Sequence, residues 1–226
     1  MKGRSKKYKE AVKLVERNKT YAIEEAVSVL NKMPQLKFDQ SVDLAIKLNV
    51  DPKQSEQLLR GTVVLPHGTG KTKRIAVFCK GEAEKEAKEA GADFIGAQDL
   101  IDKVAGGWLD FDVAVSTPEM MRDLSKLGKV LGPKGLMPSP KTGTVTNNIA
   151  QAIKELKAGK VEFKTDKQGG IHIAVGKISF DVSKLKENID TLLSAINANR
   201  PASVKGNLIM SVSFSTTMSP GFKVAA

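Results

Sequence analysis

The hydrophobic pattern of this chain changes its period twice, and this change constrains the possible folds more than any other feature. From Val42 to Leu48 every second residue is a large apolar one, as expected for a strand with one buried face. The same alternation returns from Leu208 to Phe214. Each strand needs a paired neighbour and a covering layer, so the two ends of the chain are predicted to form one α+β domain together.

The middle of the chain has a different pattern, in which short apolar runs alternate with helical ones. The run from Arg74 to Cys79 is typical of a strand buried on both faces. Further strands are predicted at residues 94–95 and 112–116, and helices at residues 82–90 and 99–104. This alternation of strand and helix is typical of βαβ units with a small parallel sheet.

These patterns predict an α/β chain of two domains. A discontinuous α+β domain is expected from residues 1–66 and 160–226, and an inserted βαβ domain from residues 67–159. The inserted segment has 14 basic and 12 acidic residues, so +9 of the net charge of +11 lies on the two ends. A positive surplus of this size favours a polyanionic partner, above all a nucleic acid.

Composition excludes several classes of protein. Cys79 is the single cysteine and cannot form a disulfide within the chain, which indicates a reducing compartment. A membrane span needs about 18 consecutive apolar residues, and no such run occurs. The basic segment from Lys2 to Lys19 is not followed by an apolar stretch, so no secretory signal is expected.

The segment from His67 to Thr72 contains Gly-Lys-Thr and invites comparison with a nucleotide-binding P-loop. That motif requires a glycine where Leu65 stands, and a helix rather than an apolar strand after it. A flexible connection between domains is the better interpretation. His67 and His172 lie far apart with no second cysteine to join them, so no metal site is expected. No catalytic arrangement of Ser, His and Asp is recognisable.

The segment from Gly128 to Thr144 combines glycine, proline and lysine without any acidic residue. Proline fixes φ, and glycine adopts backbone conformations that other residues resist, so a shaped cationic loop is predicted here. The helix before this segment is expected to end at Gly128. Farther along, residues 166–170 are a hairpin signal between strands predicted at residues 161–165 and 171–175.

Two segments carry residue types suited to RNA. Lys37 and Phe38 place a cation and an aromatic ring at the start of the first alternating strand, and unstacked RNA bases are flat partners for such a ring. The segment from Ser211 to Met218 is rich in hydroxyl groups, which suit contacts to ribose and phosphate. From the residues alone, a place in the core is the more usual role for Phe38, and the hydroxyl-rich strand could equally be an edge that faces water.

The whole chain resembles the bacterial type of the large-subunit ribosomal protein L-one family. The matching blocks are Lys37–Asp39, Arg60–Pro66, Gly68–Lys71, Gly132–Gly143, Asn147–Gly159, Gly176–Lys177, Ser179–Phe180 and Thr217–Met218. The resemblance implies that the termini form an RNA-binding domain and that the second domain is a Rossmann-like insertion. It also implies a structural protein without catalytic residues, cofactor or metal.

The resemblance further implies which residues contact RNA. They are Lys37, Phe38, Ser41, Asp43, Thr217, Met218 and Ser219. Ser41 and Asp43 stand where the family usually has threonine and glutamate. Ser219 stands where glycine is usual, and it places a Cβ where the RNA approaches the backbone.

By the same resemblance, the chain would be a cytoplasmic protein that acts as a monomer within the large ribosomal subunit. It would bind ribosomal RNA in the mobile stalk and help to release deacylated transfer RNA from the exit site. It would also repress its own messenger RNA by binding a mimic of the ribosomal site. Two rival classes make different predictions. A nucleotide-binding enzyme would bind ATP or GTP with magnesium, and a DNA-binding regulator would bind duplex DNA as well as structured RNA, although no helix-turn-helix is recognisable.

Overall fold

The computed structural model describes residues 5–16, 19–34, 36–201, 203–204 and 206–225 of a mixed α/β protein. Its helices are α1 (Lys6–Lys13), α2 (Ile23–Asn31), α3 (Glu82–Glu89), α4 (Gln98–Ala105), α5 (Met121–Leu124), α6 (Gly128–Leu131), α7 (Ile149–Ala158) and α8 (Val182–Ala198). Its strands are β1 (Thr20–Tyr21), β2 (Ser41–Leu48), β3 (Arg60–Val64), β4 (Ile75–Phe78), β5 (Phe94–Gly96), β6 (Val113–Ser116), β7 (Lys160–Lys164), β8 (Gly170–Lys177), β9 (Ile209–Thr216) and β10 (Phe222–Val224). Short 3-10 segments lie at Ser55–Gln57, Pro118–Met120, Ser125–Leu127 and Pro140–Thr142. Within the described ranges, no helix combines the length and the apolar character needed to cross a membrane.

The strands form three sheets, and the chain divides into two compact units. One unit consists of residues 1–70 and 161–226, and the other consists of residues 71–160. The first unit contains a five-stranded sheet in the order β1-β10-β9-β2-β8, together with a two-stranded sheet of β3 and β7. The second unit contains a three-stranded sheet in the order β5-β4-β6.

Strand β2 lies inside the five-stranded sheet and pairs antiparallel with both of its neighbours, β8 and β9. The side chains of Val42, Leu44, Ile46 and Leu48 are all buried. They share one hydrophobic core with residues of α2 and α8, which cover this face of the sheet. The alternation predicted for this strand is therefore confirmed, and its other side chains lie on the uncovered face.

The three-stranded sheet is parallel and is covered on both faces. Strand β4 pairs in parallel with β5 and with β6, and all four of its residues are buried. Ala76 and Phe78 pack in a cluster with α4, whereas Ile75 and Val77 pack in a second cluster with α3 and α7. This confirms the prediction of a strand buried on both faces within a βαβ arrangement.

The prediction of a hairpin at residues 161–175 is wrong, although the turn at residues 166–170 does form. The carboxylate of Asp166 accepts hydrogen bonds from the backbone N–H groups of Gly170 and Gln168 at 2.7 and 2.8 Å. Both hydrogen bonds stabilise the charged carboxylate, the one from Gly170 most, and they hold the pKa of Asp166 below its usual value. Beyond the turn the two strands separate, because β7 pairs with β3 and β8 pairs with β2.

Helical structure was expected to end at Gly128, but it continues from a 3-10 segment at Ser125–Leu127 into α6. Gly128 has φ −55° and ψ −32°, which is an ordinary right-handed helical conformation. The helix ends instead at Gly132, where Pro133 follows and cannot continue the hydrogen-bond pattern. The four residues of α6 were predicted to belong to a loop, and that prediction is wrong for them.

The segment predicted to connect the domains is held by the buried side chain of Asn188 on α8. The Asn188 amide group donates to the Gly68 carbonyl at 3.0 Å, and its oxygen accepts from the His67 N–H at 3.1 Å. The next element of the described chain is a strand, which begins at Ile75. Residues 67–72 therefore lack the helix that a P-loop places directly after its glycines.

Candidate nucleic-acid interface

The two candidate RNA-binding segments meet where β2 begins and β9 ends. The Thr217 N–H donates a hydrogen bond to the Ser41 carbonyl at 3.1 Å. The Ser41 N–H in turn donates to the Thr217 hydroxyl at 3.1 Å. One step along the antiparallel register, Val42 lies opposite Thr216. Residues from the two ends of the chain thus form one continuous surface, here called the junction of Ser41 and Thr217.

A buried glutamine holds this junction in position. Gln40 is only 5% exposed, and its side-chain oxygen accepts from the Thr216 hydroxyl at 2.9 Å and from the Met218 N–H at 3.3 Å. A buried amide oxygen without donors would destabilise the fold. The backbone of Met218 is therefore tied to Gln40, while its side chain extends outward.

Three of the predicted contact residues are exposed at the junction. Phe38 is 53% exposed and Met218 is 57% exposed, and Lys37 is exposed as well. The alternative that Phe38 belongs to the core is therefore wrong. Phe38 and Met218 both flank Gln40: Phe38 precedes it by two positions in the chain, and the Met218 N–H donates a hydrogen bond to its side chain. Exposed apolar side chains that gather at one place typically mark a binding surface.

Asp43 lies farther along β2 on the uncovered face, where it is half-buried. It pairs with Ser215 of β9 and with Ala174 of β8. Ser213 and Ser211 continue the same row on β9, because side chains alternate between the two faces. Small hydroxyl and methyl groups on this face allow a ligand to approach the sheet closely. The edge-strand alternative is wrong, because β9 lies between β2 and β10.

Ser219 has an internal role that the sequence did not reveal. Its hydroxyl accepts a hydrogen bond from the Thr216 N–H at 2.8 Å and donates to the Pro220 carbonyl at 3.1 Å. The Ser219 N–H also donates to the Thr216 carbonyl at 3.2 Å. These bonds close the turn that follows β9. No described non-glycine residue has a positive φ, so the backbone at this position does not require glycine.

Sequence reasoning missed Lys177, Asp39 and Ser179 as neighbours of the junction. The Lys177 ammonium donates to the Ser41 hydroxyl and to the Asp39 carbonyl, both at 3.3 Å. The Ser179 hydroxyl donates to the Asp39 carboxylate at 2.7 Å. Lys177 lies opposite Ser41 in the pairing of β2 with β8. The only available signal was that these residues stand in the blocks that carry the family resemblance.

Comparisons with known proteins agree on one family. The family model described as the ribosomal protein L1p/L10e family matches residues 29–220. A relative from Protochlamydia amoebophila, named large ribosomal subunit protein uL1, is 56% identical over 97% of this chain and 93% of its own length. Relatives of the same name from Kosmotoga olearia and onion yellows phytoplasma are 53% and 55% identical over 99% and 98% of this chain, and over 97% and 96% of their own lengths.

Proposed function

Because this chain belongs to the ribosomal protein L1p/L10e family, we propose that it is a protein of the large ribosomal subunit that binds large-subunit ribosomal RNA. It is a ribosomal protein rather than an enzyme, and it acts in the ribosomes of the cytoplasm. The RNA-binding domain is the unit of residues 1–70 and 161–226. The unit of residues 71–160 is an inserted Rossmann-like domain.

The observation that carries this proposal is the junction of Ser41 and Thr217. Two hydrogen bonds of 3.1 Å join these residues from opposite ends of the chain. Phe38 and Met218, both more than half exposed, flank the same junction, and Lys37 adds a cation. Apolar surfaces, hydroxyl groups and a cation together match what RNA offers, namely base faces, ribose hydroxyls and phosphates.

Each residue type has its own task in this proposal. Phe38 and Met218 contact bases and the apolar faces of ribose, and Lys37 neutralises a phosphate. The carboxylate of Asp43 can accept hydrogen bonds but cannot donate them, and its negative charge repels phosphates. Asp43 therefore selects a donor, either a ribose 2′-OH or a base amino group, and contributes to specificity more than to affinity.

The salt dependence of binding tests the proposal. The logarithm of the affinity of the full chain for large-subunit ribosomal RNA is expected to fall linearly with the logarithm of the salt concentration. Lys37→Ala is expected to reduce the slope by about 0.7 to 0.9, the contribution of one phosphate contact. Lys186→Ala is the matched control, because the Lys186 ammonium already lies 2.7 Å from the Glu24 carboxylate.

Three results would contradict parts of this assignment. Equal binding to duplex DNA would favour a DNA-binding regulator, and magnesium-dependent binding of ATP or GTP would favour a nucleotide-binding protein. Either result without specific binding to ribosomal RNA would overturn the proposed function. An unchanged slope for Lys37→Ala would remove only Lys37 from the interface.

Ser219 gives a second test, because a hydroxyl and a Cβ can be removed separately. Ser219→Ala and Ser219→Gly both delete the acceptor of the Thr216 N–H, so each is expected to lower the free energy of unfolding by about 1 kcal/mol. Only Ser219→Gly also removes the Cβ and allows closer approach of the RNA. It is expected to bind ribosomal RNA more tightly than Ser219→Ala, by up to about fivefold, on the scale of one hydrogen bond. Equal affinities would show that the Cβ does not obstruct the RNA.

Family membership also supports two finer roles that we include in the proposal. The protein helps to release deacylated transfer RNA from the exit site, and it represses translation of its own messenger RNA. The repression needs no second binding surface. A messenger segment that presents the same RNA shape would compete with ribosomal RNA for the junction of Ser41 and Thr217.

A further inference from the structure

A cavity of about 600 Å³ opens beside Met218, between the junction and helix α1. Its walls are mainly apolar, and they include Tyr8, Ala11, Met33 and Met218. Its volume lies within the range of about 300 to 1,000 Å³ that is usual for small-molecule sites. The cavity is therefore large enough for a nucleotide-sized group.

The charge around the cavity indicates the kind of occupant. Lys6 and Lys7 line its α1 side, and the first turn of α1 contains no acidic residue. A cationic border around an apolar interior suits a ligand that is flat and apolar in one part and anionic in another. A second copy of this chain is a poor occupant, because each copy carries a net charge of +11 and like charges repel.

The cavity is also continuous with the proposed RNA surface. Gln40, Thr216, Met218 and Ser219 belong to its walls, and the same residues hold the end of β9 against the start of β2. RNA bound at the junction would therefore bring its neighbouring nucleotides to the opening of the cavity.

We propose that this cavity takes one unstacked nucleobase of the bound RNA, with the adjoining phosphate on Lys6. The inference depends on the proposed function above and extends the interface to α1, where sequence reasoning identified no contact residue. A base that leaves its stack exposes two apolar faces. Tyr8, Met33 and Met218 offer apolar surface for those faces, and aromatic side chains stack on bases of any sequence.

Variants of α1 test the inference in the full chain, with large-subunit ribosomal RNA as the probe. Tyr8→Ala is expected to weaken binding about tenfold, the scale of one lost base–aromatic contact, whereas Tyr8→Phe keeps the ring and should bind like the unaltered chain. Lys6→Ala should reduce the salt slope by about 0.7 to 0.9. Lys9→Ala is the matched control, because Lys9 is an exposed lysine of the same helix that does not line the cavity.

The outcomes separate this inference from the proposed function. If the unaltered chain binds ribosomal RNA and both Tyr8→Ala and Lys6→Ala bind it equally well, the cavity holds no base and only this inference fails. If those variants instead change the sedimentation of the RNA-free chain, the cavity is part of a contact between protein molecules. That result would also overturn the inference that it takes a base. Thermal unfolding of each variant shows whether a loss of binding merely reflects a loss of folding. A Tyr8→Phe variant as weak as Tyr8→Ala would likewise contradict stacking.

Discussion

Replacing Phe38 and Met218 together with alanine is expected to weaken binding to large-subunit ribosomal RNA about a hundredfold. Loss of one side chain that stacks on a base costs about 1 to 3 kcal/mol, which is a factor of about 5 to 150 in affinity for each residue. Because Phe38 and Met218 are 53% and 57% exposed, their removal should leave the free energy of unfolding almost unchanged. Equilibrium binding at fixed salt and thermal unfolding measure the two effects separately.

Met210→Ala is the matched control for this pair. Met210 is 65% exposed and lies near the opposite end of β9 from Met218. The variant removes a similarly exposed methionine, one that lies on β9 and away from the junction, so it should bind RNA like the unaltered chain. A double variant that binds no worse than Met210→Ala would show that the junction is not the RNA-binding surface.

A chain in which a short glycine-serine linker replaces residues 71–160 is expected to keep most of the RNA affinity. All residues of the core that contains β2, α2 and α8 come from outside this segment, so the shortened chain retains a complete hydrophobic core. Of the 36 basic and 25 acidic residues, 15 and 12 lie in residues 71–160, which leaves a net charge of +8 on the remainder. The electrostatic attraction to RNA should therefore be largely retained.

The complementary measurement uses residues 71–160 alone. This segment has its own parallel sheet and its own two clusters of buried residues, so it is expected to fold, as circular dichroism would show. Its affinity for ribosomal RNA is expected to be at least about a hundredfold lower than that of the full chain, at the level of non-specific binding. Strong binding by this segment, or none by the shortened chain, would contradict the domain assignment.

The sequence predicted strands well where burial itself sets the pattern. The alternation from Val42 to Leu48 and the fully apolar run around Ile75–Phe78 both reflect which faces are covered. Prediction failed where a strand pairs with a partner far away in the sequence, and where a glycine can adopt either of two backbone conformations. The turn at residues 166–170 forms, but each flanking strand pairs with a strand from early in the chain. Gly128 can end a helix or continue it, and here it continues.

The candidate site was predictable in its residue types but not in its internal geometry. Lys37 and Phe38 could be singled out because a cation and an aromatic ring stand together before a strand. Nothing local indicated that Gln40 would be buried and would bind the backbone of Met218. The role of Ser219 was missed for a similar reason, because its hydroxyl is used within the turn. The contact of Gln40 depends on pairing between the two ends of the chain, whereas that of Ser219 depends on the exact geometry of a local turn.

The position of β2 within its sheet has a consequence for synthesis of the protein. Strand β2 leaves the ribosome early, but its two neighbours, β8 and β9, begin at Gly170 and Ile209. The unit of residues 71–160 is complete before either neighbour exists, and domains generally fold as units during synthesis. The inserted unit can therefore fold first, whereas β2 cannot pair until β8 and β9 have been synthesised. The junction of Ser41 and Thr217 forms only after Met218 has been added, so an incomplete nascent chain has no such surface to offer any RNA.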